Sequence, residues 1–315
     1  MAVVRVAAAV LLRADGRVLL AQRLPGTPYA GWWEFPGGKL EPGESPRHAL
    51  ERELGEELGI ALKRASPWLV QRYVYPHAEV ELNFFRVFDW IGEPSGRDGQ
   101  AVAWQLPCAF DVAPLLPANT RVLAALRLPP IYGITCASDL GQRAFLESAE
   151  SAFARGLRLV QVREKEWPAG RLRALAIAVR DIARAYGAVV LLNGDVAMAR
   201  ELGLDGVHWT SAQLLDAASR PQGLLVGASC HDARELEHAA ALDCDFAVLG
   251  PVKATPSHTA MRPIGWTGFE RFRERARIPV YALGGLDDDD LDIAIDHGAH
   301  GIAMRRGAWA ERRDA

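Results

Sequence analysis

Glu53, Glu56 and Glu57 stand at i, i+3 and i+4. On a helix they share one face, and carboxylates so close repel one another. Glu44, in the stretch before them, adds a fourth. Grouped hard oxygens suit Mg²⁺ or Mn²⁺, which bridge in turn to phosphate oxygens. An isolated ExxEE is as readily a solvated acidic helix face. Here the pattern extends: Gly38, five residues, Glu44, seven residues, then Arg52-Glu53-Leu54-x-Glu56-Glu57-x-Gly59-Ile60. If each fixed residue is met by chance roughly one time in fifteen, about seven agreements arise on the order of once in 10⁸ trials.

The elements that must hold these groups are legible around them. Leu50, Leu54 and Leu58 recur every fourth residue as an apolar stripe. Ser45-Pro46 reads as N-cap and first helical position, and Gly59 as the stop. A Gly-rich loop followed by a helix with its apolar side down is predicted. Residues 3–12 and 18–23 read as a β-hairpin around the charged turn at 13–17. That reading sets aside a signal peptide in the apolar N-terminus. Trp32–Phe35, strands near Trp68–Tyr75 and Glu79–Trp90, a Gly/Pro/charge-rich loop over 92–99 and a short strand at Ala101–Leu106 follow. Leu116-Pro117-Ala118-Asn119 opens a helix ending near Leu126.

The spacing is that of the Nudix box. With Trp33-Glu34-Phe35-Pro36-Gly37-Gly38-Lys39 before it, the first part of the chain resembles the MutT-type Nudix hydrolases, of the 8-oxo-dGTP diphosphatase kind. The resemblance covers nearly all of residues 1–128. It implies an α+β Nudix sandwich that hydrolyses a nucleoside triphosphate, 8-oxo-dGTP first, to the monophosphate and pyrophosphate. It also implies that Glu53, Glu56 and Glu57, with the Gly38 carbonyl, ligate Mg²⁺ or Mn²⁺. One of these glutamates or a nearby carboxylate then orients or deprotonates water, and Glu44 and Arg52 brace the box by charge-assisted hydrogen bonds. Arg23, Phe35 and Asn119 match the family's contacts to the oxidised guanine. As isolated residues they read as a surface charge, a core ring and an N-cap. The family's further glutamate in the charged loop is replaced by Asp98, one methylene shorter.

Leu128-Pro129-Pro130 stops the preceding helix, and residues 129–130 read as a stiff linker. Beyond it the rhythm changes. Eight apolar segments alternate with amphipathic ones: Ile131–Thr135, Leu159–Arg163, Val189–Asn193, Gly206–Trp209, Leu225–Ser229, Phe246–Gly250, Pro279–Leu283 and Gly301–Met304. Strands apolar on both sides and separated by helices predict a parallel sheet. Eight such units predict an α/β (β/α)₈ TIM barrel over 131–315. Polar residues collect at the C-terminal strand ends: Arg163, Asn193, His208, Ser229, His231 and Gly284-Gly285.

Val160–Lys165, Asp205–His208, Gly250-Pro251-Val252 with Thr255-Pro256-Ser257-His258, and Ala282–Leu286 resemble the thiamine-phosphate synthase/TenI family, over about 131–305. The resemblance implies that Gln161, Arg163, Lys165, Asn193, Thr255, Ser257, His258, Gly284 and Gly285 bind thiazole or pyrimidine phosphates. It makes His231 a proton shuttle in thiazole tautomerisation. Three departures stand out. Asn193-Gly194 replaces the family's Asn-Asp, with Asp195 one place on; no second metal aspartate follows His208; His258 replaces a lysine. Phosphate binding with little condensation is the expectation. One alternative makes the whole chain a thiamine-pathway enzyme, its Nudix half hydrolysing thiamine-type pyrophosphates and its barrel a tautomerase or synthase. Another makes the barrel a non-catalytic ligand-binding module.

Length and charge bound the rest. The 315 residues suit two domains, and the net charge of -3 carries no basic footprint for a nucleic-acid polymer. Four cysteines without CxxC spacing suggest a reduced, cytoplasmic chain. No apolar run reaches the roughly 18 residues of a membrane span.

Overall fold

The computed structural model describes residues 3–97, 99–254 and 262–310. The chain divides into two compact units, Met1–Arg127 and Leu128–Ala315. In the first, β1 (Val4–Leu11), β2 (Val18–Gln22), β3 (Trp33–Glu34) and β4 (Gly37–Lys39) precede helix α1 (Pro46–Leu58). Then come β5 (Ala61–Tyr75), β6 (Ala78–Ile91), β7 (Val102–Gln105) and α2 (Thr120–Ala125). One sheet runs β4-β1-β6-β5 and the other β3-β2-β7.

The hairpin expected from residues 3–12 and 18–23 does not form as a sheet unit. β1 pairs along its length with β6 in parallel, from Val4↔Val80 to Leu11↔Val87, while β2 pairs with β3 and β7. The two strands share only the bridge Leu12↔Val18, where the chain crosses between sheets. The reason is burial: Ala7–Leu11 and Val18–Ala21 are covered on both faces, so each strand serves its own layer. β5 and β6 also run longer than their alternation suggests. Pro67 lies beside a register shift in β5, the kind of irregularity that tolerates a residue without an N–H.

Helix α1 follows its local signals. The Ser45 side chain accepts from the His48 N–H, Pro46 occupies the first turn, and Gly59 closes the helix in the left-handed region at φ 71°. Leu50, Leu54 and Leu58 are fully buried against β1 and β6 residues such as Ala7, Leu11 and Val87. Burying each leucine contributes about 2 kcal/mol. The last helix of this unit begins with a 3₁₀ turn over Pro117–Asn119.

The second unit is a closed parallel barrel: β8 (Ile131–Ile134), β9 (Leu159–Val162), β10 (Val189–Asn193), β11 (Gly206–Trp209), β12 (Leu225–Cys230), β13 (Phe246–Leu249), β14 (Val280–Leu283) and β15 (Gly301–Met304). Helices α3 (Ala137–Leu140), α4 (Gln142–Ala154), α5 (Ala169–Ala185), α6 (Val196–Glu201), α7 (Ser211–Asp216), α8 (Ala233–Ala241), α9 (Gly265–Arg273) and α10 (Leu291–Asp296) lie between them. Tyr132, Leu159, Leu191, Phe246, Val248 and Tyr281 form one buried cluster, contributed by alternate faces of the strands, and fill the barrel. The strand termini therefore carry whatever site this unit has. Among the described residues, no helix is long and apolar enough to cross a membrane.

Candidate functional site

Two side chains of α1 reach back to Gly37 and Gly38 of β4. The Gly37 N–H donates to Glu57 Oε2 at 3.1 Å. Glu53 lies over Gly38 so closely that a Cβ there would overlap its carboxylate. Arg52 reaches the other carboxylates. It donates to Glu44 at 3.2 and 3.1 Å, to Glu53 Oε1 at 2.9 Å, to Glu56 Oε2 at 3.3 Å and to the Lys39 carbonyl at 3.0 Å. Its hydrogen bond holds the Glu44 carboxyl below the ordinary carboxylate value. Glu56 is 63% exposed at its side chain, whereas Glu53 is 16% exposed. So Glu53 and Glu57 reach the glycine pair of β4 while Glu56 turns to Arg52 and solvent. Among the described residues, no three His, Cys, Asp or Glu side chains stand close enough to hold a metal ion. The donor chemistry nonetheless fits a hard divalent cation: the Glu53 carboxylate lies against Gly38, and the Glu57 carboxylate is held at the neighbouring Gly37 N–H.

A cavity of about 370 Å³ opens beside this glycine pair, lined among others by Arg23, Phe35, Gly38, Glu57 and Asn119. Asn119 is 3% exposed, and its Nδ2 has no hydrogen-bond partner among the described residues. It does not cap α2 with its side chain. Its amide is thus an unmatched donor on the cavity wall. Phe35 is buried and packs edge-on to Phe84, centroids 5.8 Å apart, so it is a core ring with one side on the cavity. Arg23 is not a free surface charge. It pairs with Glu34 at 2.5 Å and donates to the Pro28 carbonyl at 2.7 Å. Burial raises the Glu34 carboxyl despite that partner. Glu34, Tyr29, Tyr75 and His77 also line this cavity and went unseen in the sequence. Only Glu34 carried a local signal, its place beside Phe35-Pro36-Gly37-Gly38. Asp98 lies outside the described residues.

In the barrel, a cavity of about 220 Å³ opens at the C-terminal strand ends. Gln161, Arg163, His208, Ser229, His231, Gly284 and Gly285 line it. Gly284 and Gly285 adopt φ 111° and 63°, the left-handed region, where side chains are strained. Burial, then the Arg305 charge, lowers the Arg163 guanidinium from its ordinary value. Gln161 Nε2 donates to Asn193 Oδ1 at 3.0 Å, which orients Asn193 behind the cavity wall. Lys165 is exposed and does not line the cavity; the Arg163 charge, more than burial, lowers its amine. His231 is exposed at the cavity rim, its Nδ1 3.4 Å from the Gly250 carbonyl. Thr255, Ser257 and His258 lie outside the described residues.

Asp195 is spent on the helix: its carboxylate caps α6 by accepting from the Met198 N–H at 2.8 Å. Gln213 bridges Gly194 and Thr210, donating to the Gly194 carbonyl at 2.7 Å and accepting from the Thr210 N–H at 3.1 Å. A neutral amide therefore occupies the ground between β10 and β11. Arg305 and Arg306 also line the cavity and were missed. They follow β15 directly, and a basic pair at a barrel strand's C-terminal end was a signal available to the reading. Asp139 anchors both, at 2.8 Å and 3.1 Å.

Residues 2–126 match the family model of the NUDIX domain, and residues 131–308 that of thiamine monophosphate synthase. An 8-oxo-dGTP diphosphatase of Haemophilus influenzae is 40% identical over 124 residues, which is 39% of this chain and 91% of that one. The 8-oxo-dGTP diphosphatase of Escherichia coli is 33% identical over 123 residues, 39% of this chain and 95% of that one. A thiamine-phosphate synthase of Gloeobacter violaceus is 38% identical over 168 residues, 52% of this chain and 49% of that one.

Proposed function

Because the chain belongs to the NUDIX family through residues 2–126 and to the thiamine monophosphate synthase family through residues 131–308, we propose that it joins a phosphoanhydride hydrolase to a phosphate-binding barrel. The substrate we assign to the hydrolase is 8-oxo-dGTP, cleaved to 8-oxo-dGMP and pyrophosphate, a reaction that keeps oxidised guanine out of DNA. One observation carries this reading: Glu57 and Asn119 line the same cavity. A nucleotide whose base meets the unmatched Asn119 amide has its phosphates directed to Gly37 and Gly38. An 8-oxo-guanine edge offers acceptors to such an amide.

Glu53, Glu56 and Glu57, with the Gly38 carbonyl, would hold a divalent cation, Mg²⁺ or Mn²⁺. When bound there, such an ion supplies neutralisation of phosphate charge and a more acidic water. Glu53 and Glu57 are oriented against Gly38 and Gly37. Arg52 and Glu44 keep the loop and helix at a fixed distance by a multidentate ion pair, partly exposed and so worth positioning more than stability. Arg23 acts through Glu34, bracing the cavity floor rather than meeting the base alone.

For the barrel we assign binding of thiazole or pyrimidine phosphates by Arg163, Gly284 and Gly285. The uses of Asp195 and Gln213 support weak or absent condensation. A second reading, in which the hydrolase acts on thiamine-type pyrophosphates, is favoured by the joining of these two families in one chain. The test is kcat/KM on the full chain for 8-oxo-dGTP, dGTP, thiamine diphosphate and hydroxymethylpyrimidine diphosphate. Preference for 8-oxo-dGTP is expected; preference for either thiamine-pathway compound replaces the first reading with the second.

A further inference from the structure

Three polar side chains inside the barrel form a chain that ends at the cavity. The Tyr132 hydroxyl lies 3.1 Å from His208 Nδ1, and His208 Nε2 lies 3.0 Å from Ser229 Oγ. They come from β8, β11 and β12, so no local sequence pattern links them. Tyr132 is fully buried and His208 is 2% exposed, while Ser229 and the His208 ring edge face the cavity. Gly227 makes the room. A Cβ there would come within 2.7 Å of His208 Nδ1 and 2.5 Å of Phe246 Cζ.

The hydrogens on this chain can be counted. A neutral imidazole carries one N–H, and each hydroxyl one O–H, giving three hydrogens for two contacts. Burial keeps the phenol protonated and pushes His208 down to about 3, so the imidazole is neutral at ordinary pH. If Ser229 donated to Nε2, the proton would sit on Nδ1 and point at Tyr132. The tyrosine hydrogen would then have no acceptor, because His208 Nδ1 is the phenol's only hydrogen-bonding partner among the described residues. An unsatisfied donor at a fully buried site disfavours that arrangement by roughly tenfold or more. The opposite arrangement leaves no buried group unmatched: Tyr132 donates to Nδ1, Nε2–H donates to Ser229 Oγ, and the spare hydrogen is on Ser229 at the cavity.

We infer that Tyr132 and His208 are positioning residues that fix Ser229 as a hydrogen-bond donor into the barrel cavity, which thereby selects a ring carrying an acceptor atom. The surroundings suit such a ligand. Ile134, Val248 and Leu283 give apolar walls for a flat ring, and Arg163 with Gly284-Gly285 gives an anion site for a phosphorylated tail. A ring nitrogen with a free lone pair satisfies Ser229; the same ring alkylated at that nitrogen does not. This rests on the phosphate-binding reading of the barrel but is separable from it, since the proton arrangement exists without ligand.

The first arm is NMR on the full chain with ¹⁵N-histidine, assigning the His208 signal by its loss in His208→Gln. An Nε2–H tautomer is expected, and Tyr132→Phe should give a mixture. An Nδ1–H tautomer in the parent chain overturns the inference whatever the barrel binds. The second arm titrates 4-methyl-5-(2-hydroxyethyl)thiazole phosphate and its N-methyl derivative. Ser229→Ala and Tyr132→Phe should each weaken the parent thiazole by roughly tenfold and leave the N-methyl compound unchanged. Equal effects on both compounds would overturn the acceptor selection. Failure of the parent thiazole phosphate to bind, with the expected tautomer present, refutes the thiazole-phosphate reading and the acceptor selection that depends on it, and leaves the tautomer assignment standing.

Discussion

Glu53 folds its carboxylate over Gly38, occupying the space that any side chain at residue 38 would take. The glycine is required by that close approach and not by its dihedral, since Gly38 is not among the positive-φ residues. Gly38→Ala should therefore displace Glu53 and cut turnover by roughly 100-fold, as misplacement by about 1 Å does in other sites. Gly55 in the same helix is the control. A Cβ there meets nothing nearer than 3.9 Å. Gly55→Ala should keep activity and stabilise the unit by about 1 kcal/mol. Turnover together with thermal unfolding of both variants reads this directly.

The three glutamates should not be equivalent. Glu53→Gln and Glu57→Gln, beside the glycine pair of β4, are expected to lower kcat by orders of magnitude with the fold intact. Glu56→Gln, on the solvent side, should cost less. Excess EDTA should abolish hydrolysis and added Mg²⁺ restore it. Near-parent rates for both Glu53→Gln and Glu57→Gln would remove the metal reading of α1.

Asn119→Ala separates recognition from stability. The Nδ2 group has no hydrogen-bond partner among the described residues, so its removal should leave the melting temperature nearly unchanged. Discrimination between 8-oxo-dGTP and dGTP should fall by about 1–3 kcal/mol in kcat/KM. A uniform loss on all nucleotides would assign Asn119 to shape rather than base reading.

Acid should weaken the barrel through His208. Its imidazole titrates at about 3 in the folded chain against 6.5 ordinarily. Between those values the unfolded chain holds a proton that the folded one lacks. Stability from this group is therefore complete above about 6.5 and is lost as pH falls toward 3. His208→Gln should flatten the fall in the urea midpoint measured from about pH 7.5 to 5. A slope equal to the parent's would mean that other groups set the acid sensitivity.

Binding and chemistry should part company in the barrel. Thiazole phosphate should titrate onto the full chain, and Arg163→Ala should weaken it. Addition of pyrimidine pyrophosphate with Mg²⁺ should give little thiamine phosphate, because Asp195 caps α6 and Gln213 is neutral. Robust product formation would show that another group supplies the missing carboxylate.

What the sequence determined is local. Ser45, Pro46 and Gly59 delimit α1 because capping and left-handed termination are chemistry of the residues themselves. The leucine stripe sets the buried face and so places the glutamates on the neighbouring one. Eight apolar runs announce eight parallel strands because such strands are covered on both faces. What only the tertiary structure decided depends on pairing between distant segments. β1 and β2 look like a hairpin, yet their two-sided burial sends them to different sheets. Asn119 and Glu57 share a cavity, and Arg23 is claimed by Glu34, through packing that no spacing encodes. Tyr132, His208 and Ser229 lie on three strands, and barrel closure with its register brings their polar atoms within hydrogen-bonding distance. Periodicity states which face a residue occupies; which residues meet across that face is fixed by register and closure, long-range properties of the folded chain.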